Sequence, residues 1–72
     1  MSSVHTKRYQ EFLQKLRQAR KAAGLTQAQV AKTLKKPQSF VSKCESGERR
    51  VDFAELQAFA RLYRRPLDFF KA

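Results

Sequence analysis

The apolar positions of this 72-residue chain recur at steps of three and four almost from end to end, the spacing of one face of an α-helix. Tyr9, Phe12, Leu13, Leu16, Ala19, Arg20 and Ala23 trace such a face, which stops at Gly24, a residue suited to the left-handed position that follows a helix. The spacing predicts a first helix over about 6–23. Leu25-Thr26-Gln27-Ala28-Gln29-Val30 then carries a capping box, Thr26 with Gln29 three residues on, and an apolar staple of Leu25 onto Val30. A second helix is expected from there to about Leu34, with Val30, Ala31 and Leu34 inward. Pro37 disfavours a helical conformation at Lys36 and suits a helix start, so a third helix is expected over about 38–46, closing on Gly47. Its inward residues by spacing are Val41, Cys44 and Glu45, while Gln38, Ser39, Ser42, Lys43 and Ser46 face outward.

Asp52 and Glu55 repeat the capping-box pattern, with Val51 and Leu56 as the staple, and open a fourth helix to about Tyr63. Leu56, Phe59, Ala60 and Tyr63 form its inward stripe, with Phe53 beside them. Pro66 suits the first position of a short fifth helix that holds Leu67, Phe69 and Phe70. No stretch alternates as a strand would, and there is no internal repeat or low-complexity tract. The expected architecture is all-α: a single five-helix domain over 1–72, with residues 1–6 disordered and a helix-turn-helix in its second and third helices.

Size and composition narrow the chemistry. A chain this short supports one thin core and leaves no room for a separate cofactor domain. Cys44 is the one cysteine and His5 the one histidine, which excludes an intrachain disulfide, a zinc ribbon and a haem site. His5 has no nucleophilic partner in sequence reach, so no catalytic role is expected. Cys44 falls on an inward helix face, as a small core residue would. No apolar run approaches the roughly 20 residues that span a bilayer, and the N-terminus lacks a signal-peptide core. A cytoplasmic protein without metal, cofactor, membrane association or small-molecule ligand is expected.

Charge adds a partner. Lys and Arg total 16 against 6 Asp and Glu, a formal net charge of +10, spread through the helical segments rather than gathered in a tail. Such an excess attracts polyanions, nucleic acid first and anionic membrane second. Two charged residues stand apart, because Arg20 and Glu45 both fall on apolar stripes. Unpaired burial of a charge costs several kcal/mol, so they are expected to pair across the first and third helices; the alternative is that Arg20 extends its guanidinium to solvent. On the outer face of the third helix, Gln38, Ser39, Ser42 and Lys43 offer the donors and acceptors that read base edges. The same residues would also suit a solvated face.

Residues 16–70 resemble the helix-turn-helix domain of phage Cro and repressor type, the fold whose second motif helix lies in the major groove. The resemblance rests on Leu16-Arg17-x-x-Arg20-x-x-x-Gly24-Leu25-Thr26-Gln27-x-x-Val30-Ala31, on the run Gln38-Ser39-Phe40-Val41-Ser42-Lys43-Cys44-Glu45-Ser46-Gly47-Glu48-Arg49-Arg50, and on the Asp52-led fourth helix. It implies that Gln38, Ser39 and Lys43 face bases, with Ser42 nearby. It further implies that Gln27, Ser46, Arg49 and Arg50 contact phosphate, and that Arg20 and Glu45 form an ion pair. Phe40 is open between packing under the turn and apolar contact with a thymine methyl group. Lys35 and Arg64 stand where the family usually has Gly.

The resemblance also implies a two-fold dimer on double-stranded DNA. Phe69 is expected in the core and Leu67 with Phe70 at the dimer interface, against the alternative that all three close the core. The expected function is sequence-specific transcriptional regulation. The competing reading is an antitoxin-like or adaptor subunit that docks a protein, against which the absence of a long tail speaks; charge-driven RNA binding is a third. Binding of DNA would neutralise about 6 phosphates per protomer, a salt slope of roughly −5.

Overall fold

The computed structural model describes residues 6–71, and among them are four α-helices and one 3₁₀ turn: α1 (Lys7–Ala22), α2 (Gln27–Leu34), α3 (Gln38–Ser46), α4 (Phe53–Tyr63) and the turn Leu67–Phe70. No strand is present among the described residues. The expected fifth helix is thus one 3₁₀ turn. His5 and the rest of the segment expected to be disordered lie outside the described residues, except Thr6, which instead caps α1 by accepting from the Tyr9 N–H at 3.1 Å.

Each helix begins and ends for a local reason. Both capping boxes form: Thr26 Oγ1 accepts from the Gln29 N–H (3.1 Å) while Gln29 Oε1 accepts from the Thr26 N–H (2.9 Å). Asp52 and Glu55 do the same at α4, at 2.8 and 3.1 Å. Pro37 and Pro66 are extended N-cap residues at φ near −67° and −68°, Pro37 directly ahead of the helix expected from residue 38 and Pro66 one position before the first helical position expected of it. Gly24 takes the left-handed conformation after α1 at φ 74°. Lys35 and Arg64 take it after α2 and α4, both at φ 59°, without glycine's freedom. The family's turns are therefore kept, and the usual terminal bonds close them: the Lys36 N–H donates to the Ala31 carbonyl and the Arg65 N–H to that of Ala60, each at 2.9 Å.

These two turns share a short local pattern. Lys35-Lys36-Pro37-Gln38-Ser39-Phe40 and Arg64-Arg65-Pro66-Leu67-Asp68-Phe69 share a left-handed basic residue, an extended proline and a cation over a ring. Lys36 Nζ lies 5.3 Å from the Phe40 ring centre, and the Arg65 guanidinium carbon 5.2 Å from that of Phe69. Six residues are too few for helical periodicity to register as a repeat.

The core gathers Leu16 and Ala19 of α1, Val30 and Ala31 of α2, Val41 and Cys44 of α3, Phe59, Ala60 and Tyr63 of α4, and Phe70. Three expectations are corrected. Ala23 is exposed, because it already lies beyond the last turn of α1. Phe53 is 65% exposed at the first position of α4, turned away from the Leu56–Tyr63 stripe. Phe70 is 3% exposed and packs edge-on between Phe12 of α1 (6.4 Å) and Phe69 (5.1 Å). The 3₁₀ turn folds back over the apolar side of α1, which the short α2 and α3 leave partly uncovered, and a large ring is drawn in there. Phe70 is consequently a core residue and not an interface residue. Phe69 is half-buried against the same cluster, and Leu67, at 37% exposure, remains on the surface.

Candidate nucleic-acid interface

A recognition surface needs a helix whose polar face is exposed and whose orientation is fixed. Val41 and Cys44 anchor α3 from below, fully buried, and burial raises the Cys44 thiol above its ordinary pKa. Orientation comes from Glu45, a carboxylate only 2% exposed on the same face. Arg20 grips it with two bonds, Nε to Oε2 at 2.6 Å and Nη2 to Oε1 at 3.1 Å, and sends Nη1 to the Leu25 carbonyl at 2.9 Å. Gln27 Nε2 donates to Glu45 Oε1 at 3.0 Å, and Arg17 Nη1 to the Glu45 carbonyl at 2.7 Å. The hydrogen bond to Glu45 holds the Arg20 guanidinium above its already high pKa. The expected ion pair is present, and α1, the α2 entrance and α3 meet on one carboxylate. Arg17 was not singled out as part of this network, although its spacing one turn before Arg20 was available as a signal.

The outer face of α3 then follows from helical geometry. Gln38, Ser39 and Lys43 are exposed, as is Ser46; Ser42 is half-buried. Ser42 Oγ donates to the Ser39 carbonyl at 3.4 Å and Ser46 Oγ to that of Lys43 at 3.2 Å, so both hydroxyls rest on the helix backbone. Ser46 Oγ also accepts from the Glu48 N–H at 3.3 Å. Gln27 stands at the first position of α2, one amide hydrogen committed to Glu45.

Beyond α3 the two arginines of the loop diverge. Arg49 makes a two-point bridge to Glu55, Nη1–Oε1 and Nη2–Oε2 both at 2.7 Å, and its Nη1 also donates to the Arg50 carbonyl at 3.0 Å. Its guanidinium carbon lies 4.8 Å from the Phe40 ring centre. Arg49 therefore fastens the loop to α4. Hydrogen bonding from Arg49 holds the Glu55 carboxyl below its ordinary pKa. Arg50 is exposed and lies 4.7 Å from the ring centre of Tyr9, whose hydroxyl accepts from the Val51 N–H at 3.1 Å. Phe40 resolves toward packing: half-buried, it stacks on Phe59 with 6.4 Å between ring centres and 15° between planes.

Among the described residues no cluster of His, Cys, Asp and Glu could hold a metal ion, and no helix is long and apolar enough to cross a membrane. Comparison with known proteins agrees with the geometry. Residues 11–68 match a helix-turn-helix domain family. No curated protein matches significantly. The chain is similar to the solved structure of an XRE-family like protein from Pseudomonas syringae pv. tomato str. DC3000, 44% identical, with a TM-score of 0.83 over 94% of this chain and 83% of that one. With the motif, the buried Arg20–Glu45 junction and the exposed polar face of α3 in place, this chain belongs to the XRE-like helix-turn-helix family of DNA-binding regulators.

Proposed function

We propose that the protein is a sequence-specific transcriptional regulator that binds a two-fold operator as a homodimer, with α3 in the major groove. The observation that carries this reading is the pairing of an exposed Gln38/Ser39/Lys43 face with the clamp on Glu45 directly beneath it. Reading base edges requires donors and acceptors held in register, and a helix tied to two others through one carboxylate supplies that rigidity. Lys43 reaches guanine O6 and N7; Gln38 suits the two-point pattern of adenine; Ser39, with Ser42 nearby, adds single hydrogen bonds.

Phosphate contacts come from Arg50, from Ser46 and from the entrance of α2. There the second amide hydrogen of Gln27 and the backbone N–H groups of the first helical turn meet the backbone of the duplex. One recognition helix covers few base pairs, so specificity comes from two copies on half-sites about 34 Å apart. Leu67 is the surface apolar residue assigned to the dimer contact.

The test separates reading from positioning. Lys43→Ala lowers discrimination between the selected operator and scrambled DNA by about tenfold, the scale of one lost base contact of ~1–3 kcal/mol. Arg50→Ala weakens both DNAs alike and makes the salt slope shallower by about one. Equal loss on both DNAs for Lys43→Ala would remove it from the reading face.

A further inference from the structure

We propose that Tyr9 is a positioning residue for DNA binding, seating Arg50 for its contact with phosphate. This role rests on the reading of Arg50 as a phosphate contact, and it falls to a residue ahead of the matched segment 11–68. The contacts that support it start in the core. Buried Phe70 meets the Phe12 ring edge-on at 6.4 Å, and Phe12 packs against Tyr9 with 5.3 Å between ring centres. The backbone of Tyr9 is fixed as well, because its N–H donates to Thr6 Oγ1 at 3.1 Å in the cap of α1. A half-buried ring held in both ways is a firm platform.

Two contacts join this platform to the loop after α3. The Arg50 guanidinium carbon lies 4.7 Å from the Tyr9 ring centre, within the range of a cation–π contact. The Tyr9 hydroxyl accepts from the Val51 N–H at 3.1 Å, while the Arg50 carbonyl, the other polar group of the same peptide unit, accepts from Arg49 Nη1 at 3.0 Å. The peptide that follows Arg50 is therefore gripped twice, once by α1 and once, through Arg49 and Glu55, by α4. Arg50 itself is exposed, and an arginine on an open loop gives up much of its rotamer freedom when it meets a phosphate. A ring under the guanidinium and a backbone held at both polar groups remove part of that loss before DNA arrives.

Phosphate carries no sequence information, so the affinity of the full chain for a scrambled duplex, measured by fluorescence anisotropy, reads the contact without requiring α3 to recognise bases. Tyr9→Leu is expected to weaken this binding about fivefold, the scale of an exposed cation–π contact. Tyr9→Phe keeps the ring under Arg50 and is expected to recover most of the loss. In the Arg50→Ala background Tyr9→Leu weakens binding no further, because no guanidinium remains to be seated. A role confined to holding the fold would lower affinity as much in that background as in the wild type, and such additivity would overturn the inference. Full affinity in Tyr9→Leu beside a weakened Arg50→Ala would also overturn it, leaving the phosphate contact standing. Full affinity in Arg50→Ala would remove the phosphate contact itself, and the role of Tyr9 with it. One measurement needs no variant to fold: the ¹⁵Nε order parameter of Arg50 in the wild-type chain is expected to exceed that of exposed Arg64, and equal values would contradict the seating.

Discussion

Glu45 places a negative charge on an otherwise apolar helix face, and the side chains around it determine whether that charge is tolerated. With Arg20 at 2.6 Å and Gln27 at 3.0 Å its oxygens are satisfied. Removing Arg20 strands the carboxylate, and Arg20→Ala is expected to cost about 3–5 kcal/mol in urea unfolding. Glu45→Gln keeps the shape but loses the charge pair, and its melting temperature falls; full wild-type stability in that variant would contradict the clamp. Lys35 and Arg64 present the opposite case. Each holds φ 59°, so Lys35→Gly and Arg64→Gly are each expected to stabilise by about 1 kcal/mol, which glycine's freedom in the unfolded chain partly offsets. Differential scanning calorimetry reads this as a rise of a few degrees.

At the scale of elements, the helix ends and the loop after α3 hold the motif together. Asp52→Ala removes the side-chain acceptor of the Glu55 N–H and is expected to cost about 1 kcal/mol. Glu55 serves both that cap and the bridge to Arg49, and its folded pKa lies below the ordinary 4.5. A carboxyl with a depressed pKa contributes stability that is fully present above its unfolded value and is lost as pH falls through the folded one. Stability should therefore decline on acidification below about pH 4.5, and Glu55→Gln should flatten that limb in acid denaturation followed by circular dichroism. A Glu55→Gln profile that overlays the wild type would show that the bridge contributes nothing to folding.

The α-helices were legible because periodicity, two capping boxes and two prolines all point the same way. Lys35 and Arg64 were flagged by their departure from glycine, but residue type alone does not say whether the left-handed turn survives. The final turn was harder to read. Three apolar residues in four positions satisfy either a core or an interface, and only the uncovered side of α1 decides that Phe70 goes inward. The bridge from Arg49 to Glu55 was illegible for a similar reason, since a loop arginine carries no mark of its partner until α4 brings Glu55 within 2.7 Å.

For the whole molecule, a net charge of +10 becomes an arrangement of functions. Arg20 and Arg17 are turned inward to hold α3, Arg49 ties down the loop, and Lys43 and Arg50 are left on the exposed side. The proposed dimer rests on how little DNA one α3 can read, and Leu67, at 37% exposure, is the surface apolar residue proposed for its contact. Leu67→Glu is expected to lower the dimer fraction in sedimentation equilibrium and weaken operator binding, while leaving the fold intact.

The central claim is that α3 reads sequence in a two-fold assembly. Selection of bound sites from random-sequence duplex DNA by the full chain tests it most directly. The expected result is an enriched palindrome whose half-sites are centred about 34 Å apart. Enrichment of no sequence, or of a single unpaired half-site, would contradict it.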